Sequence, residues 1–82
     1  MERKEILEKL KEILISMDAS KKDVIVDIND DTSLVEGLGL SSVALIYMVV
    51  GIEETFNITF DELGVEDFKT VGTTIDYIAR KL

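Results

Sequence analysis

Two adjacent hydroxyls, Ser41 and Ser42, are the side chains in this sequence best placed for chemistry. They follow the glycine-containing stretch EGLGL and precede Val43 to Ile52, ten residues without a charge. A serine in Gly-x-Ser-x-Gly could be a hydrolase nucleophile, but Val43 stands where the second glycine belongs. The chain has no histidine to act as the base of a triad, and no cysteine. A serine before an apolar helix is most simply an N-cap. That role occupies one serine, and the other is left at the positive end of the helix. There, free N–H groups and the helix dipole would stabilise a phosphate ester.

A second cluster, DINDDTSLVEGL from Asp27, partly matches a calcium loop. Asp27, Asn29, Asp31 and Ser33 fall on the first four ligand positions. Thr32 occupies the place of the required glycine, and Leu38 that of the bidentate glutamate. The departures argue against a specific metal site.

The elements that must hold the serines are helical. Ile6, Leu10, Ile13 and Met17 recur at helical spacing, with Leu7 and Leu14 beside them, which predicts a helix over 2–17. Residues 23–28, DVIVDI, alternate loosely, but no second strand is available to pair with them. Residues 19–40 therefore read as a long loop docked through Val24, Val26 or Ile28, and Leu34. Ser41 or Ser42 opens a helix to about Phe56, which Asn57 ends. It bears one stripe of Val43, Ile46, Val49 or Val50, and Phe56, and another of Leu45, Met48 and Ile52. A helix apolar on two faces is central to a bundle or faces a ligand. Residues 61–68 allow a turn or short helix. Thr70 caps a last helix over 70–81, with Val71, Ile75, Ile78 and Leu82 inward. The expectation is one all-α domain over 1–82, with three main helices, a short fourth and a long loop between the first two.

Charge narrows the partners. The net charge is −8. Residues 23–68 contain eleven acids and neither Lys nor Arg. Such a field repels nucleic acid and anionic lipid and attracts basic protein surfaces. The longest uncharged stretch is about half of the ~20 residues a membrane span needs, and no leader pattern is visible. A cytoplasmic location is expected.

The motifs now add up. The chain resembles the acyl carrier protein family over nearly its whole length. The family's attachment motif, Leu-Gly-x-Asp-Ser-Leu, is matched by Leu38-Gly39-Leu40-Ser41-Ser42-Val43. Its Glu-Glu-x-Phe helix end is matched by Glu53-Glu54-Thr55-Phe56. Its closing Thr-Val-x-x-x-Ile-x-Tyr-Ile is matched from Thr70 to Ile78, and TSLVEGLGL before the serines is similar too.

The resemblance implies the small four-helix carrier bundle, a protein that is not an enzyme, and 4′-phosphopantetheine on one serine. Spacing from Gly39 and from Phe56 in the family's motif selects Ser42. Ser41 replaces the family's usual aspartate. Implied partners are a phosphopantetheinyl transferase and acyl-loading and acyl-processing enzymes with basic docking patches. They would meet a monomer through Leu40, Ser41, Val43, Tyr47, Glu53 and Glu54. Carriers of fatty acid synthesis usually bear acids early on the outer face of this helix. Ala44, Leu45 and Tyr47 stand there, which favours a specialised polyketide, peptide or related pathway. The alternative is an unmodified interaction module on the same fold.

Overall fold

The computed structural model describes residues 1–60 and 68–82. The described elements are all helical: α1 (Arg3–Met17), a 3-10 turn (Ala19–Lys21) running into α2 (Lys22–Ile25), α3 (Ser42–Phe56) and α4 (Val71–Lys81). The three long helices lie within a residue or two of their expected bounds. The expected turn or short helix at 61–68 falls almost wholly outside the described residues. No described helix is long and apolar enough to cross a membrane.

The periodicity of α1 explains its burial. Ile6, Leu10, Ile13 and Leu14 face the core, with Leu7 and Met17 packed partly against it. From α3 come Met48, Val49, Ile52 and Phe56, and from α4 Val71, Ile75 and Ile78. Asn57 stops α3 in the left-handed region at φ 56°, a conformation asparagine tolerates better than most residues. Thr70 and Thr73 form a reciprocal capping box at the start of α4.

Four expectations need correction. The 19–40 connection is not loop throughout, since its first seven residues are helical. Asp18 starts the 3-10 turn by accepting the backbone N–H and hydroxyl of Ser20. With no strand to pair against, DVIVDI buries at helical rather than alternate spacing. Ile25 and Ile28, three apart, are buried, while Val24 and Val26 are exposed. Second, the first α3 stripe is split: Val43, Ile46 and Val50 face outward, whereas Val49 and Phe56 reach the core beside Met48 and Ile52 of the other stripe. Third, Leu82 follows the last turn and is 49% exposed. Fourth, Glu53 is half-buried and engaged, as described below.

The long connection is pinned to the start of α4. The Leu34 N–H donates to the Lys69 carbonyl, the Val71 N–H to Thr32 and the Gly72 N–H to Asp30. Arg3 adds a clamp, bonding to both Asp30 and Asp76, so α1, the connection and α4 share one ion-pair network. These bonds fix the connection that delivers the serine pair.

Candidate functional site

The approach to the serines is a tight turn. Gly39 has φ +69°, a conformation that a side chain would strain. The Leu38 N–H donates to the Ser33 carbonyl and the Leu40 N–H to Leu34. From α2's edge, the Lys21 ammonium donates to the Leu38 carbonyl at 2.7 Å. The turn is thus tied on two sides before it reaches Ser41.

The two serines then separate in role. Ser41 is the N-cap of α3, with extended backbone. Its hydroxyl accepts the Ala44 N–H at 3.2 Å, and its carbonyl accepts the Leu45 N–H at 2.9 Å. Ser42 is the first helical residue and is exposed. It opens the first turn, whose N–H groups have no partner within the helix. A phosphodiester there would meet the positive helix end and open solvent, so the residues fit a phosphopantetheine group.

The remaining expected contact residues surround this point unevenly. Leu40 is half-buried. Val43 is 59% and Tyr47 65% exposed, and with Ile46 and Val50 they form an apolar stripe along α3. Glu54 is exposed. Glu53 lies apart in function: its carboxylate accepts the Phe60 N–H at 2.9 Å.

Beside the serine pair lies a cleft of about 590 Å³. One side is the C-terminal half of α1 with Ile25. The other is the α3 flank from Ser41 through Ala44 and Tyr47 to Gly51, with Leu38 and Leu40 at the rim. Asp18 lies at its edge, its carboxyl held below the ordinary aspartate range chiefly by the Ser20 hydroxyl, with help from the Ser20 N–H and Lys21. The sequence reading passes over Lys21 and Gly51 here and places Ala44 on the helix's outer face, whereas it lines this cleft. The available signal was Gly51, a glycine inside an otherwise strong helix.

The exposed Ser42 opens α3 at its positive end, a place that suits a covalently attached phosphate ester. The family model for the phosphopantetheine attachment site matches residues 8–78, and the chain belongs to the acyl carrier protein family. It is 37% identical over 76 residues to the acyl carrier protein of Desulforapulum autotrophicum, covering 82% of this chain and 99% of that one. It is 30% identical over 83 residues to the acyl carrier protein of Thermotoga maritima, covering 98% and 95%. The Onion yellows phytoplasma acyl carrier protein is 33% identical over 78 residues, covering 92% and 95%. Members of the family are carriers rather than enzymes, with phosphopantetheine on a serine. They work with a phosphopantetheinyl transferase and acyl-processing enzymes.

Proposed function

We propose that Ser42 is the attachment serine and that the chain carries acyl groups for a specialised pathway. The observation that carries this reading is the division of labour at α3. Ser41 is committed to capping, whereas Ser42 is exposed one residue further on. The group's terminal thiol holds acyl cargo as a thioester, which accounts for a carrier without a cysteine of its own. The protein's part is to present the serine on a rigid helix end and to be recognised.

Recognition falls to the α3 stripe. Val43 and Tyr47, with Leu40 and Ser41 at its head, offer an apolar contact surface, and Glu54 offers a charge at the far end. The partner surface that fits is an apolar patch edged by basic residues. These five side chains, on α3 and just before it, fall short of the about 800 Å² per side of a standard stable interface. The contact is therefore brief, and the protein works as a monomer that changes partners. An apolar face, where an acidic one would serve general fatty acid synthesis, supports a dedicated polyketide, peptide or related partner set. Incubation with coenzyme A and a broad-specificity transferase, read by intact mass, tests the carrier role. One added phosphopantetheine supports it. A protein that stays unmodified would be an interaction module on the same fold.

A further inference from the structure

The turn that leads to Ser42 is held from outside by one charged side chain. Its own backbone bonds close behind it. The Ser33 carbonyl accepts the N–H groups of Gly37 and Leu38 at 2.9 and 3.1 Å, and the Leu34 carbonyl accepts that of Leu40 at 3.1 Å. Leu34 and Leu38 are buried and anchor the turn in the core. The Leu38 carbonyl is satisfied differently. Among the described residues no backbone N–H donates to it, and its donor is the Lys21 ammonium at 2.7 Å. Leaving a part-buried carbonyl without a donor is costly, so this bond favours one orientation of the peptide between Leu38 and Gly39.

Lys21 is itself fixed at the near end of this reach. It closes the 3-10 turn, its N–H donating to the Asp18 carbonyl at 3.1 Å, and it is half-buried. The bond it makes spans 17 residues of chain. A Cβ on Gly39 would lie 3.2 Å from Lys21 Nζ. Gly39 therefore serves twice, through its φ of +69° and through the room it leaves for the ammonium. Residues 23–68 contain neither Lys nor Arg, so the cation at this turn is brought in from outside that stretch.

We propose that Lys21 is a positioning residue for the modification of Ser42, its ammonium holding the Gly39 turn in the form that presents the serine to a phosphopantetheinyl transferase. The proposal rests on Ser42 being the attachment serine. Lys21 takes no part in the group transfer itself. It acts through the turn: a turn in the presenting form for only a fraction of the time lowers the apparent affinity of the transferase by that fraction. The complex, once formed, reacts as before. Loss of the bond is therefore read in KM for the protein rather than in kcat.

The test measures transferase kinetics with coenzyme A saturating and the whole chain varied, for wild type, Lys21→Met and Lys22→Met, with the modified residue mapped in each. Methionine keeps an apolar stem at position 21 and removes the donor. Lys22 is exposed and next in the chain, so Lys22→Met removes the same charge without the bond. Lys21→Met should raise KM about tenfold, the scale of one lost hydrogen bond to a charged group, with kcat within about twofold of wild type. Its Leu38 and Leu40 amide protons should exchange several-fold faster, while those in the middle of α1 and α4 keep the wild-type rate. Lys22→Met should match wild type throughout. Should Lys21→Met fail to fold, Lys21→Gln, uncharged and one bond shorter, replaces it with the same expectations. An unchanged KM, a loss confined to kcat, or equal KM increases in Lys21→Met and Lys22→Met would each overturn the positioning role and leave Ser42 as the attachment serine. A wild-type protein that takes no group, or takes it on another residue, would overturn both.

Discussion

Glu53 and Phe60 are joined side chain to backbone: the Glu53 carboxylate accepts the Phe60 N–H at 2.9 Å. The Glu53 carbonyl also accepts the N–H groups of Asn57 and Ile58. The chain leaving α3 is thus folded back around one residue. Phe60 is thereby set against Tyr77 of α4, with ring centroids 4.7 Å apart, and against Phe68 at 5.6 Å. The acidic pair at the end of α3 has two different jobs.

Separate reversals should show this. Glu53→Lys removes a hydrogen bond to a charged acceptor and should cost about 1 to 3 kcal/mol. Glu54→Lys, at an exposed position, should leave stability within about 0.5 kcal/mol but slow association with a basic partner and weaken its salt dependence. Urea unfolding and stopped-flow association separate the two. Equal stability losses from both reversals would contradict the assignment.

Phe56 packs where α3 ends against the core and is buried. Phe56→Ala should cost about 3 to 5 kcal/mol. That is a large share of the total stability of a small domain, about 5 to 15 kcal/mol. A melting temperature equal to wild type would show the core to be placed wrongly.

Asp18 makes a pH prediction. Its pKa is lowered in the folded state by the Ser20 hydroxyl first, then by the Ser20 N–H and Lys21. A lowered folded value gives stability that is present above the unfolded pKa of about 4 and is lost as pH falls through the folded one. Asp18→Asn keeps an oxygen to accept from Ser20 but removes the charge. Its melting temperature should fall less steeply than that of wild type below about pH 4. The effect is small because the carboxylate is exposed. Identical acid limbs would remove Asp18 from the account.

Much of the fold was legible because the long helices obey one periodicity each. The Ile6–Leu10–Ile13 spacing, the Thr70 cap and the Asn57 stop act within a few residues, so local sequence specifies them. The outward turn of Val43, Ile46 and Val50 was not legible. An apolar residue carries no mark of which side its neighbours will cover, and α3 is apolar almost all round. DVIVDI reads as loop because its valines and isoleucines suit a strand and no partner strand is available, yet its first three residues close the short helix α2. Contacts across long separations, such as Arg3 with Asp30 and Asp76 or Lys21 with the Leu38 carbonyl, leave no periodic trace. At the site, the capping rule raised the question of two serines, the family spacing selected Ser42, and the fold gave the pair their different surroundings.

The apolar stripe predicts how partners bind. Val43→Ser and Tyr47→Ser remove exposed apolar surface that a partner would bury. Each should weaken a cognate enzyme's binding by about tenfold, at about 1.5 kcal/mol for an apolar side chain partly desolvated. Melting temperatures should change little, since neither side chain is in the core. Calorimetry at low and high salt checks the apolar character. Affinities unchanged by either variant, with strong salt dependence throughout, would show docking to be electrostatic instead.

The central claim is that Ser42 carries the prosthetic group while Ser41 caps the helix. Peptide mapping after transferase treatment of wild type, Ser41→Ala and Ser42→Ala tests it most directly. The phosphopantetheine mass should appear on Ser42 in wild type and in Ser41→Ala. It should be absent from Ser42→Ala, whose fold should be intact. Ser41→Ala should also lose about 0.5 to 2 kcal/mol of stability as the Ala44 N–H loses its acceptor. The group found on Ser41, or a modified Ser42→Ala protein, would contradict the account.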